Sequence, residues 1–166
     1  DSLSCDQKVT TDTRNIAKND LFFALKGPNF NGNKFAEKAL ELGAKYAVID
    51  EKEYFIEGKT FLVENVLETL QSLARFHRDK INIPVVAITG TNGKTTTKEL
   101  LGAVLTSQYH ILITKGNLNN HIGVPLTILQ LNKEHEIAVI EMGASKIGDI
   151  KEPVSYTHLT LPTKRI

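Results

Sequence analysis

The sequence predicts an α/β fold in two parts, residues 1–82 and residues 83–153. Three observations point there. Short apolar runs bounded by turn residues alternate with stretches of helical apolar spacing, the pattern of βα units. One such run, Val85-Val86-Ala87-Ile88-Thr89, leads through a glycine-rich loop directly into a helix. The pattern also changes character at Asn82-Ile83-Pro84, which reads as a domain boundary.

The elements follow in order. Thr10 to Arg14 is a polar turn or a short strand edge. Leu21-Phe22-Phe23-Ala24-Leu25, between Asp20 and Lys26-Gly27-Pro28, reads as a buried strand. Residues 29–33 cluster Asn and Gly and read as a loop. Phe35, Ala36, Ala39, Leu40 and Leu42 share a helical face that Gly43 ends. Residues 46–49 and 61–63 are strands, and Asn65 with Glu68 opens a helix that reaches about Lys80. In the second part, residues 85–89 read as a strand in the middle of a parallel sheet. A helix over 94–107, a strand over 110–114 and a short helix with Pro125 in its first turn come next. A strand over 137–140 ends at Glu141. This β-α-β-α-β order implies a doubly wound sheet, whose ligands sit at the carboxyl ends of its strands. Residues 89–96 and 141–145 both fall at such ends.

Composition narrows the function. The 166 residues are 41% hydrophobic and 23% charged, ordinary for a globular protein of one or two small domains. A formal charge of +1 provides no net basic field to neutralise phosphates, so no nucleic-acid partner is expected. No apolar run is long enough to cross a bilayer, and residues 1–4 do not read as a signal peptide. A cytoplasmic protein without membrane insertion is the expectation. The single cysteine, Cys5, excludes an internal disulfide and a cysteine zinc site, and it reads as an inert thiol. Of the histidines, His77 reads as helix-face packing, and His110 and His135 as surface residues. Residues 154–166 have neither helical nor strand periodicity. Residues 154–163 resemble a translated frame of the transposase adapter used in shotgun sequencing libraries. That likeness implies a non-native tail and a reading frame that left its genomic insert near Pro153. Without this tail, which carries Lys164 and Arg165 and no acid, the formal charge becomes −1.

Four segments carry chemistry. Thr89-Gly90-Thr91-Asn92-Gly93-Lys94-Thr95-Thr96 follows a strand and opens a helix, the context of a phosphate loop. Its glycines let main-chain amides approach phosphate oxygens, and the helix start adds partial positive charge. Lys94 then neutralises the terminal phosphates, and Thr95 offers a hydroxyl to Mg²⁺. The loop departs from the common pattern: Ile88 stands where an earlier glycine is usual. An unrelated P-loop kinase or GTPase would carry that glycine and a second acidic metal ligand. A non-catalytic nucleotide-binding module is the third reading. The second segment, residues 115–123, holds Asn117, Asn119, Asn120 and His121, which suits polar ligand groups and ordinary turn chemistry alike. His121 alone fits helix capping or packing equally. The third is Glu141-Met142-Gly143-Ala144, where a strand-end carboxylate is either solvated or a metal ligand. The fourth is Thr11-Asp12-Thr13-Arg14 with the loop from Lys26 to Asn33. Arg and hydroxyls there suit a phosphate or sugar, while the plainer reading is a surface salt bridge and a turn.

Together, over residues 6–153, these segments resemble the Mur ligases, ATP-dependent enzymes that extend the peptide of the peptidoglycan precursor. Residues 90–96 resemble the family's ATP signature. Residues 116–127, Glu141 to Ala144 and Gly148-Asp149-Ile150 resemble the branch that joins D-alanyl-D-alanine to UDP-N-acetylmuramoyl-tripeptide. Residues 11–14 and 21–27 resemble that branch's precursor-binding domain. The resemblance implies a small N-terminal α/β substrate domain. It is followed by the first part of a P-loop-type parallel-sheet ATP-binding domain, truncated near residue 153. It implies ATP contacts at Gly90, Thr91, Asn92, Gly93, Lys94, Thr95, Thr96, Asn120 and His121, with Lys94 catalytic. Mg²⁺ is implied at Thr95 and Glu141, and the UDP precursor at Thr11, Asp12, Thr13, Arg14, Lys26 and Asn31. Asn31-Gly32-Asn33 departs from the Asp-Gly-His often seen at that point of the branch, a departure that bears on the exact polar contacts of the loop and not on the assignment.

Overall fold

The computed structural model describes residues 8–143. Cys5, Ala144, the Gly148-Asp149-Ile150 motif and the adapter-like residues 154–166 lie outside the described residues.

The first unit opens with β1 (Val9–Thr10), a 3₁₀ turn over Thr13–Asn15 and β2 (Leu21–Phe23). Asp20, just before β2, is buried, and its carboxylate accepts the amides of Lys8 at 3.2 Å and Ala17 at 2.8 Å. That carboxylate fixes the loop that carries the polar turn. Next come β3 (Lys26–Gly27) and β4 (Phe30–Asn31), paired antiparallel with Gly27 opposite Phe30. Residues 29–33 therefore contain half of a hairpin and the start of a 3₁₀ helix, Gly32–Phe35, where the sequence reads as plain loop. Two-residue strands are too short to show any periodicity. Helix α1 (Ala36–Glu41) buries Ala36 and Ala39 and ends at Gly43, whose φ of 114° suits glycine. Strands β5 (Tyr46–Ile49) and β6 (Thr60–Leu62) complete a four-stranded parallel sheet in the order β1-β2-β5-β6. Its core is Phe22, Ala24, Ala36, Ala39, Ala47 and Ile49.

Helix α2 (Val66–Lys80) starts as the sequence predicts: Asn65 Oδ1 accepts the Glu68 amide at 3.1 Å. The two compact units part within this helix, between Leu70 and Gln71, upstream of the break in pattern at residues 82–84. The physical reason is the apolar face of α2. Ala74, then Ile81 and Ile83, belong to the core of the second unit with Leu112, Val124 and Ile140. His77 is also tied there, its Nε2 lying 2.8 Å from the Leu131 carbonyl. The buried Arg78 guanidinium donates to the carbonyls of Ile81 and Ile83, which pins the chain as it leaves the helix.

The second unit consists of β7 (Val85–Ile88), α3 (Lys94–Thr106), β8 (Ile111–Ile113), α4 (Gly123–Ile128) and β9 (Ile137–Glu141). The three strands are parallel in the order β7-β9-β8. Among the described residues β9 is thus central and β7 lies at an edge, contrary to the middle position its apolar run predicts. Val86 is 38% exposed, whereas Ala138, Val139 and Ile140 are fully buried. An apolar run reports how a strand's faces are covered, not which strands flank it. The register sets Ile88 opposite Glu141, so the strand end that launches the glycine loop lies beside that acid. His110 is exposed, as the sequence suggests, and His135 is half-buried. Their rings stack at 5.0 Å, and the His110 amide donates to Glu136 at 2.8 Å. Among the described residues no helix is long and apolar enough to cross a membrane.

Two predictions follow from this packing. Arg78→Met should lower the stability of the chain by about 1–3 kcal/mol in urea unfolding, because it strips the part-buried Ile81 and Ile83 carbonyls of their donor. Arg78→Lys should recover part of that loss. Burial and the neighbouring His110 lower the pKa of His135 below its ordinary 6.5. As pH falls through 6.5 the unfolded chain takes up a proton that folded His135 resists, so stability should decline on the acid side. Thermal unfolding between pH 7.5 and 5, run beside His135→Gln, should show the decline flattened in the variant.

Candidate functional site

β7 delivers the chain into residues 89–93 at the carboxyl end of the sheet. Gly90 has φ 147° and Gly93 has φ 76°, and the left-handed Gly93 turns the chain into α3. No side chain caps the helix start, so its first amides remain directed at the loop. Thr89, Gly90, Thr91, Asn92, Gly93, Thr95 and Thr96 are exposed, and Lys94 is half-buried. Lys94 bends back so that its Nζ donates to the Gly90 carbonyl at 2.7 Å. The ammonium therefore sits inside the loop it would share with a phosphate.

Glu141 is the hub. It is 1% exposed, and a carboxylate at that depth must be partnered. Asn119 Nδ2 donates to its Oε1 at 2.9 Å. Thr95 Oγ1 donates to Oε2 at 3.2 Å, and Lys98 Nζ lies 3.5 Å from the same oxygen. The Glu141 amide donates to Thr114 Oγ1 at 2.9 Å, which fixes the backbone below the carboxylate. Lys98 is fully buried, and its Nζ also meets the Gly116 carbonyl at 3.3 Å and Glu99 at 3.1 Å.

The structure thus brings together Thr95 and Glu141, adds Asn119 from the polar loop that the sequence singled out without assigning that residue a partner, and adds Lys98 and Thr114, which sequence reasoning missed. One signal for Lys98 was available. It stands three residues after Thr95, on the same face of α3, so a lysine there points where the threonine points. Asn119 and Thr114 carried no such signal, because their relation to Glu141 runs through strand register. Asn119 is pinned from two further sides: its amide donates to the Asn117 carbonyl at 2.7 Å, and its carbonyl accepts the Gly143 amide at 2.7 Å. Asn120 is turned elsewhere. Its Oδ1 accepts the amides of Ile122 at 3.0 Å and Gly123 at 2.8 Å, capping α4. His121 is exposed, and its carbonyl takes a hydrogen bond from Gln71 Nε2 at 3.3 Å.

The donor set fits a magnesium ion. Mg²⁺ demands octahedral oxygen ligands at about 2.1 Å, which sets adjacent ligands about 3 Å apart. Thr95 Oγ1 and Glu141 Oε2, 3.2 Å apart, have that spacing. Among the described residues no group of three or more His, Cys, Asp or Glu side chains could hold a metal. Water and phosphate are the usual source of the remaining ligands at such a magnesium site.

In the first unit the predicted residues divide into two clusters. Asp12 caps the 3₁₀ turn through the Arg14 amide at 3.0 Å and pairs with the Arg14 guanidinium at 2.7 Å, both at the surface. The Arg14 hydrogen bond holds the Asp12 carboxyl at a pKa of about 2. Thr11 and Thr13 flank this turn, half-buried. Lys26 pairs with Asp50 at 3.1 Å and Glu51 at 3.4 Å, and Asp50 raises its pKa. Asn31 donates to Glu51 at 2.9 Å, while its Oδ1 accepts the amide and the side chain of the buried Asn33, each at 3.0 Å. Asn33 in turn donates to Asp50 at 2.8 Å. Asp50 and Glu51 were not singled out from sequence. They directly follow β5, and hydrogen bonds from Asn31 and Asn33 tie them to the hairpin loop.

A family model described as "Mur ligase family, catalytic domain" matches residues 7–85, and one for the "Mur ligase middle domain" matches residues 88–160. The chain is 43% identical over 144 residues to the UDP-N-acetylmuramoyl-tripeptide–D-alanyl-D-alanine ligase of Bacillus subtilis, covering 86% of this chain and 32% of that protein. The ligase of the same name from Escherichia coli is 41% identical over 149 residues, covering 90% and 33%. The chain spans about a third of the length of the curated relatives it matches. Among solved structures, MurF from Acinetobacter baumannii superposes with a TM-score of 0.83 at 36% identity, covering 90% of this chain and 33% of that one. MurF from Thermotoga maritima, in complex with ADP, gives 0.80 at 36% identity, covering 92% and 35%. With both domain families matched in order and strand-end chemistry in place, the chain belongs to the Mur ligase family.

Proposed function

We propose that this chain is the precursor-binding and nucleotide-binding part of a cytoplasmic, ATP-dependent ligase of peptidoglycan synthesis. The reaction joins D-alanyl-D-alanine to UDP-N-acetylmuramoyl-tripeptide. The observation that carries this reading is the contact of Thr95 with Glu141 at the foot of an exposed glycine loop, in a chain 41–43% identical to ligases of that name. An oxygen of the tripeptide carboxylate attacks the γ-phosphorus of ATP, and ADP leaves. The amine of D-alanyl-D-alanine then attacks the acyl carbon, loses a proton and expels phosphate.

The chain's own residues serve the first step. The amides of residues 90–96 and the start of α3 cradle the phosphates. Lys94 exchanges the Gly90 carbonyl for the β- and γ-phosphate oxygens and neutralises charge as it spreads over the transferring group. Thr95 and Glu141 hold the Mg²⁺, which when bound screens the phosphate charge and orients the oxygens. Asn120 and His121 border the nucleotide, Asn120 by shaping the start of α4 and His121 by its exposed ring. In the first unit Thr11, Asp12, Thr13, Arg14, Lys26 and Asn31 contact the UDP precursor. Arg14 and Lys26 are held ready by their carboxylate partners.

The activity is tested with the two units in the complete ligase, given ATP, UDP-N-acetylmuramoyl-tripeptide and D-alanyl-D-alanine. Amide product should appear with one phosphate released per bond, and product without ATP consumption would refute the reading. Lys94→Ala in that enzyme should lower turnover by about 10²–10³, the cost of removing one preorganised charge from a transferring group. An unchanged rate would remove Lys94 from the chemistry. The precursor unit has its own assay: titration calorimetry of UDP into the 166-residue chain should show binding that Arg14→Ala weakens about tenfold.

A further inference from the structure

We propose that Lys98 makes divalent-cation binding at Glu141 conditional on the nucleotide. Its buried ammonium already balances the one carboxylate of the site, so the ion is held only when phosphates arrive with it. The inference rests on the reading of Glu141 and Thr95 as the magnesium-holding pair, and it concerns what else occupies their surroundings.

Three observations carry it. Lys98 is 0% exposed and Glu141 is 1% exposed, so neither charge is screened by water. The Lys98 Nζ lies 3.5 Å from Oε2, the oxygen that also receives the Thr95 hydroxyl at 3.2 Å. A cation held by Glu141 and Thr95 therefore sits close to an ammonium that cannot swing into solvent, since Nζ is also fastened to the Gly116 carbonyl at 3.3 Å. The third observation is the scarcity of acid. Among the described residues no cluster of three His, Cys, Asp or Glu side chains exists, and Glu99, the other carboxylate on Lys98, is 66% exposed and well solvated.

The charges then decide the order of events. Glu99 is solvated, so within the buried site Lys98 offsets much of the charge of Glu141, and a bare divalent ion would lose water for a weakened attraction and meet the ammonium's repulsion. ATP reverses the sign. Its phosphates supply negative charge and most of the oxygen ligands, and the glycine loop holds them beside Thr95. Lys98 is thus a positioning residue that keeps Glu141 oriented and withholds its charge from free metal.

Mn²⁺ serves as the probe, with the 166-residue chain. Binding without nucleotide is read from the EPR signal of the free ion, and binding with ATP from water-proton relaxation enhancement. The wild-type chain should bind Mn²⁺ at least about tenfold more weakly alone than with ATP. Lys98→Met should gain nucleotide-free binding by about the same factor, and Lys98→Met with Glu141→Gln should lose that gain. Because Lys98→Met leaves a buried carboxylate uncompensated, Lys98→Gln is run beside it, and circular dichroism checks that each variant is folded. A purely structural lysine would change the unfolding temperature of these variants without changing nucleotide-free Mn²⁺ affinity. The proposal is overturned if folded Lys98→Met or Lys98→Gln gains nothing, or if the wild-type chain binds Mn²⁺ equally with and without ATP. Failure of the underlying site looks different: Glu141→Gln would then hold Mn²⁺ with ATP as well as the wild type does.

Discussion

A carboxylate buried at the end of a strand governs this molecule's second unit. Glu141 has almost no access to water, so its charge has to be met by protein groups in fixed positions. Two segments far apart in the chain converge to meet it, α3 through Thr95 and Lys98 and the loop after β8 through Asn119, while Thr114 at the β8 exit accepts the Glu141 backbone amide. Removing one partner of such a buried pair typically costs about 3–5 kcal/mol, because the remaining charge stays uncompensated. The geometry of the glycine loop is anchored by the same contacts, since Thr95 lies in the first turn of the helix that the loop opens.

The backbone around this acid is built for close approach. A Cβ on Gly123 would come within 2.5 Å of the Leu118 backbone, so α4 can start against the Asn-rich loop only with glycine there. That packing seats Asn119 beside Glu141, while Asn120 is used up in capping α4. Neighbouring asparagines therefore have different tasks. One orients a carboxylate, and the other shapes the loop that presents it.

The first unit uses charge differently. Arg14 and Lys26 are paired with carboxylates at or near the surface, where each pair contributes little to stability but keeps long side chains oriented. The buried Asn33 links the hairpin to Asp50 by donating to its carboxylate and accepting its amide, and so places Lys26 and Asn31 together. Asn31 both accepts from the 3₁₀ turn and donates to Glu51.

Local chemistry was legible in the sequence. The Asn65 cap, the stop at Gly43, the strand–glycine loop–helix order at residues 85–106 and the acid ending β9 all follow from neighbours within a few residues. So did the pairing of Thr95 with Glu141 as the metal-holding candidates, because a hydroxyl opening a helix and an acid ending a strand are each marked locally. Strand order was not legible. Nothing in the run from Val85 to Ile88 says that β9, rather than β7, is central among the described strands. Lys98, Asn119, Asp50 and Glu51 entered their clusters for the same reason. Periodicity states which way a side chain faces, but register and sheet order decide what it faces, and both are set by contacts between segments far apart in the chain.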